Sequence, residues 1–270
     1  MAAAGATEPP SSADIHAILK NSAEYCRRLG AATFRFICQE TVKETVRDQK
    51  GKKTSKSYLY DYQITGEKGK ALETRTLMKV DGRSVPRRKN ARLETGFYSH
   101  VSVYAPVLLL GQENQGGYHY RVVKSDRLGG RKAWVLEVEP LAEHGVILHG
   151  RVWVDQRDFS VLCIEVNPAA MGGHEKQQEN ARKMGAELQM SDTHWYGFSR
   201  NGLRFPSRTE FREEYRFADY PPGTRLDLRD PTFIAPVRGW TWKRSETSFT
   251  YGQYQFFQVQ VEYQAYPLRK

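Results

Sequence analysis

Seven histidines, three cysteines and several close carboxylate pairs are the side chains through which this 270-residue chain could do chemistry. The histidines (His16, His100, His119, His144, His149, His174 and His194) never take the His-x-x-x-His or His-Glu-x-x-His spacing that brings two imidazoles onto one metal ion. Gly129-Gly130 and Gly172-Gly173 read as turn glycines, and no Gly-x-Ser-x-Gly elbow, phosphate loop or dinucleotide fingerprint is present. Glu40 and Glu44, like Glu213 and Glu214, read as solvated carboxylates paired across strands with basic neighbours. Asp227, Arg229 and Asp230 read as a self-capped turn ahead of Pro231. The expectation is a chain with no catalytic residue, no metal ligand and no cofactor.

The cysteines say more. Cys26 shares a helical stripe with Ile15 and Leu19, and Cys38 shares a strand face with Phe34 and Phe36. Only Gly30-Ala31-Ala32 separates helix from strand, so both thiols are expected in one interface, as a Cys26–Cys38 disulfide or as two reduced core thiols. A bridge closing about a dozen residues would contribute roughly 3 kcal/mol and would require an oxidising compartment. Cys163, inside Val161-Leu162-Cys163-Ile164, reads as a single buried thiol.

Those stripes need elements to carry them. Residues 1–12, rich in Ala, Pro and Ser, read as a disordered lead-in, and 13–270 as one domain. Ser12 caps a predicted helix over 13–29, which Gly30 stops. A period of two then runs through 34–46, 58–64 and 72–80, joined by short Gly-containing turns: an antiparallel meander. Residues 83–100 read as basic and irregular, and a short helix is predicted near 102–112. The meander resumes at 118–125, 132–139, 147–154 and 159–166. Residues 168–190 read as an exposed, partly helical insertion, and 218–238 as a long Pro-rich loop; strands are expected at 192–199, 203–217, 241–250 and 253–266. The fold class is therefore mainly β: a long antiparallel sheet with an amphipathic N-terminal helix that needs a sheet to cover, and a second short helix.

Composition fits a sheet protein, since the 15 Tyr and 12 Phe suit pleated surfaces. The net charge of +10 is spread, with short clusters at Lys50, Lys52, Lys53 and at Arg87, Arg88, Lys89, Arg92 that read as solvated loop tips. A weak preference for an anionic membrane surface is what remains; nucleic acid is not an expected partner. No apolar run approaches the roughly 20 residues of a membrane-spanning helix. The first ten residues lack the basic and apolar regions of a signal peptide, so the expectation is an exported chain whose signal lies outside this sequence.

Three segments stand out: Gly150-Arg151-Val152-Trp153-Val154-Asp155 with Phe159-Ser160-Val161-Leu162, then Gly202-Leu203-Arg204-Phe205-Pro206-Ser207-Arg208, and Tyr254-Gln255-Phe256-Phe257-Gln258-Val259. They resemble the periplasmic lipoprotein-carrier superfamily, which includes LolA- and LolB-like proteins, RseB-type sensors and mycobacterial lipid-carrying lipoproteins. The resemblance covers about 13–266, and the stretches 168–190 and 218–238 depart from it as insertions. It implies a curved antiparallel sheet, an incomplete barrel whose concave face the N-terminal helix and the second short helix cover, with a hydrophobic cavity between sheet and helices, open to an acyl chain, in a periplasmic or secreted protein. The residues expected to line that cavity are Phe34, Phe36, Tyr58, Tyr60, Tyr62, Leu108, Leu109, Trp134, Trp153 and Phe257. Their rings are equally consistent with a filled core. Besides a lipid carrier, the chain could be an envelope protein-interaction or sensor module, or a cofactor-free enzyme using the same cavity.

Overall fold

A computed structural model describes residues 12–33, 36–48, 51–67, 70–91, 93, 95, 102–142, 148–217 and 241–257. Helix α1 spans Ser12–Thr33. Strands β1 (Phe36–Arg47), β2 (Lys53–Glu67), β3 (Lys70–Val80) and β4 (Arg83–Lys89) follow, then the short helix α2 (Ala105–Leu110). Next come β5 (Tyr118–Leu128), β6 (Arg131–Pro140), β7 (Gly150–Asp155), β8 (Val161–Val166), helix α3 (His174–Lys183) and β9 (Ala186–Trp195). A small hairpin, β10 (Phe198–Arg200) and β11 (Leu203–Phe205), precedes β12 (Arg208–Phe217) and β13 (Thr241–Phe256).

Eleven strands form one antiparallel sheet in the order β4-β3-β2-β1-β13-β12-β9-β8-β7-β6-β5, which does not close into a barrel. The first strand and β13 are neighbours in its middle (Val42 opposite Phe249), so the two halves of the chain are stitched together by their extremes. Period-two alternation does what the sequence predicts. Phe36, Cys38, Glu40, Val42 and Glu44 of β1 are buried, and so are Thr209, Phe211, Glu213, Tyr215 and Phe217 of β12. This inner face meets α1 and α2 in the main core, where Ile18, Tyr25, Cys26 and Leu29 of α1 lie beside Val107, Leu109 and Leu110. At the far end of β9, β12 and β13, α3 closes a smaller cluster through Ala181, with Tyr215, Phe217 and Trp242. On the other face, Val135, Trp153, Cys163 and Trp195 stand in one cross-strand row and seed a third cluster.

Several boundaries differ from the sequence reading, each for a local reason. Gly30 does not end α1, which continues to Thr33, where the threonine hydroxyl donates to the Gly30 carbonyl at 2.7 Å. The basic stretch 83–89 is the edge strand β4, not a loop tip; Asp81-Gly82, both at positive φ, turn the chain back onto β3. Strand β9 begins at Ala186, inside the expected insertion, since Gly185 at φ 66° ends α3 and lets a half-exposed strand start at once. Strand β13 is continuous from 241 to 256. The expected Pro-rich loop at 218–238, the lead-in through residue 11, and everything after 257 lie outside the described residues.

Candidate functional site

The residues expected to line a cavity fall into four environments. Phe36, Tyr58, Tyr60, Tyr62 and Leu109 are buried in the main core, with their polar atoms engaged. Tyr58 donates to Glu44 at 3.0 Å, Tyr62 donates to Glu73 at 2.5 Å, and Tyr60 reaches the Ala91 carbonyl at 3.4 Å. Phe36 sits in an aromatic cluster, 5.3 Å from Phe205 and 5.4 Å from Tyr254. Leu108 is half-buried, and Trp134, also half-buried, stacks on Phe159 at 5.7 Å against the same core. Trp153 corrects the expectation. It is the immediate neighbour of the inward Val152 and Val154, so it points to the opposite face, where its indole N–H donates to Asp126 at 3.2 Å. Phe257 is 48 % exposed beside α1, and Phe34 lies outside the described residues.

The Cys26–Cys38 bridge is not made: Cys26, Cys38 and Cys163 are three separate buried thiols. Helix α1 turns Cys26 toward α2, where its thiol donates to the Pro106 carbonyl at 3.2 Å. Cys38 instead faces Tyr254 across the sheet. Burial raises all three thiols above the ordinary range, Cys163 to about 12.

Buried polar clusters hold the strands in register. Arg75, from β3, donates to Glu40 at 2.7 Å and to Glu73 at 2.9 Å, and all three are almost fully buried. Two carboxylates thus share one guanidinium, and burial, opposed by Arg75, raises the Glu40 carboxyl above its usual value. Glu213 accepts from Arg244 at 2.5 and 2.6 Å and from the Tyr215 hydroxyl at 2.7 Å. His194 links Thr209 at 3.0 Å and Asp192 at 3.1 Å, the order of a nucleophile, base and acid. All three are buried under β8, β9 and β12, so this line of hydrogen bonds is closed to any substrate.

The open space lies beside α1. A groove of about 770 Å³ runs between α1 and α2. Its floor is small and apolar (Ala23, Cys26, Gly30, Ala31 and Val107), and its rim is polar (Lys20, Glu24, Arg27 and Glu113). Helical spacing supplies the floor: 23, 26 and 30 fall on one side of α1. A Cβ built at Gly30 comes no nearer than 3.9 Å to any other side chain, so the glycine leaves room and is not forced by crowding. The walls are fixed by Gln115, which donates to the carbonyls of Leu19 in α1 (3.0 Å) and Leu110 in α2 (2.9 Å). On the other side of α1, the Tyr25 hydroxyl accepts from the Arg204 backbone N–H at 3.1 Å. Sequence reading missed this groove because no motif marks it. The signal available was Ala23, Cys26 and Gly30 interrupting an otherwise bulky stripe.

A second, smaller cleft of about 290 Å³ opens between the last turn of α1 and the β10–β11 hairpin. Asn201 and Gly202, both at positive φ, make the two-residue turn that antiparallel strands prefer, and they present Arg200 and Leu203 to the cleft.

No family model matches the sequence, and no curated protein matches it. Solved structures similar to it include a LolA superfamily protein from Nitrosomonas europaea, 11% identical, covering 91% of this chain and 94% of that one at a TM-score of 0.37. A DUF1329 family protein from Desulfovibrio piger is 10% identical over 88% of this chain and 92% of that one, with a TM-score of 0.38. The lipoprotein LppX from Mycobacterium tuberculosis is 7% identical over 92% and 99%, with a TM-score of 0.26.

Proposed function

We propose that this chain is a lipid or lipoprotein-acyl carrier of the cell envelope, and that the groove between α1 and α2 holds the alkyl chain. The observation that carries the reading is the groove's composition: a small-residue apolar floor, about 770 Å³ of space, and a polar rim that keeps the mouth wet. Each methylene buried there contributes about 0.8 kcal/mol, so eight would supply roughly 6 kcal/mol before the ligand's ordering cost. Loading and release follow from how α1 is held. Gln115 and Tyr25 are polar clips at its two sides, and lifting the helix would open the core cluster to which Phe36 and Tyr62 also belong. In this reading the carrier works in the periplasm or outside the cell, which fractionation of the tagged chain checks.

The test is to fill the groove without harming the fold. Gly30 lies inside α1, where an added Cβ would touch Val107 at an ordinary 3.9 Å, so Gly30→Leu is expected to fold, to fill the groove against Val107, and to lose most of its uptake of a fluorescent fatty acid. Unchanged uptake by a folded Gly30→Leu protein would remove the groove as the site.

A further inference from the structure

The smaller cleft carries a charge pattern that the groove lacks. One wall is aromatic: Phe256, and Phe257, which at 48 % exposure is one of two large apolar side chains so exposed among the described residues. The other wall carries two guanidinium groups, Arg28 from α1 and Arg200 from β10. The Arg200 guanidinium lies over the Phe256 ring, 4.5 Å from its centroid. That stacking holds the fork flat and leaves its edge N–H groups free to donate in its own plane.

Several arginines elsewhere are answered by carboxylates: Arg27 by Glu24 three residues before it, Arg75 by Glu40 and Glu73, Arg244 by Glu213. Among the described residues Arg200 forms no ion pair with a carboxylate, and Arg28 feels only Glu24, one turn back in α1, whose carboxylate is already bound by Arg27. The closing carbonyls of α1 carry about half a negative charge, which one guanidinium more than offsets. The cleft therefore stays positive, with an exposed aromatic surface beside the charge. A volume of about 290 Å³ suits a head and a few carbons, at the small end of ligand pockets. Ala31 lines both this cleft and the α1–α2 groove, so the two spaces flank the same residue in the last turn of the helix.

We propose that Arg28 and Arg200 form a headgroup site for an oxyanion, a carboxylate or phosphate, at the end of a single alkyl chain whose tail passes Ala31 into the groove. The tail's position rests on the carrier reading above; the anion site rests on the two arginines and the aromatic wall.

The experiment titrates the full chain with lauric acid, dodecyl phosphate, methyl laurate and inorganic phosphate by calorimetry, and repeats it with Arg200→Gln and Arg28→Gln. Both positions are exposed, so both variants are expected to keep the parent's unfolding temperature. The two anionic amphiphiles should bind roughly tenfold tighter than methyl laurate, the size expected of a charge-assisted hydrogen bond at a partly solvated site. Arg200→Gln should erase that preference and leave the ester's affinity unchanged. Equal binding of acid and ester, or a preference that survives in both variants, overturns the headgroup site and leaves the carrier reading standing. Inorganic phosphate binding as tightly as dodecyl phosphate makes this a free-oxyanion site and overturns the lipid head. Failure of every alkyl ligand to bind overturns the carrier reading itself.

Discussion

At the scale of single residues, the buried trio Glu40, Arg75 and Glu73 makes the sharpest demand on the fold, because its charges do not balance. One guanidinium facing two carboxylates is neutral only when a proton is shared among them, and burial gives the Glu40 carboxyl its raised affinity for that proton. An acid whose folded pKa lies above its unfolded value adds stability that is complete below the unfolded value. That stability is lost as pH rises through the folded one. Relative to the parent, Glu40→Gln is therefore expected to gain as pH rises above the ordinary glutamate range, read as the difference in urea-unfolding free energy between pH 4 and pH 8. A gap that is constant, or that moves the other way, would show Glu40 to be held ionised. Arg75→Met should cost about 3–5 kcal/mol at neutral pH, since it strands two buried carboxylates. The cysteines give a simpler check: an aromatic disulfide reagent should find no reactive thiol in the native protein and three after unfolding, which separates free thiols from a bridged pair.

Elements show why some of this was legible in the sequence and some was not. Strands β1, β2, β3 and β5 to β8 follow from period-two patterning, because one buried face forces apolar side chains onto alternate positions. The same parity already placed Glu40 and Glu44 on the face of Phe36 and Val42, yet their partners come from elsewhere: Arg75 from β3 and Tyr58 from β2. Short-range patterning cannot see such pairs, so the carboxylates read as solvated. The core aromatics were identifiable as a face, but the partners of their hydroxyls, such as Glu73 and the Ala91 carbonyl, come from distant stretches that only the packed structure brings near. Trp153 went astray because Val152, Trp153 and Val154 form an unbroken apolar run, in which parity carries no information. Helix α1 offers the element-scale test. Gly30 sits within it at ordinary helical φ with space for a methyl group, so Gly30→Ala should raise stability by about 0.5–1 kcal/mol in urea unfolding. A loss of stability would mean that the last turn needs the glycine's freedom and is not continuous helix.

Over the whole molecule, the question is what a net charge of +10 does on an open sheet. Strand β4 ends that sheet, and its exposed Arg83, Arg87, Arg88 and Lys89, with Pro86 lacking an N–H, are what an unpaired edge needs to repel a second edge. The same four cations are suited to an anionic membrane surface, each worth about 1 kcal/mol close to the headgroups. These roles separate by experiment in the combined variant Arg83→Gln, Arg87→Gln, Arg88→Gln. If the charges serve a membrane, the parent should bind vesicles of phosphatidylglycerol at about 0.01 M salt, where the screening length is roughly 30 Å. That binding should fade by about 0.15 M, where the screening length is about 8 Å, and the variant should not bind at either. If they serve the edge alone, vesicle binding should be the same in both proteins, while the variant should self-associate on a sizing column. Tight binding to neutral vesicles at either salt would count against both roles. It would point instead to apolar insertion, for which Phe257 and Leu141, the most exposed large apolar side chains described, are the first residues to replace.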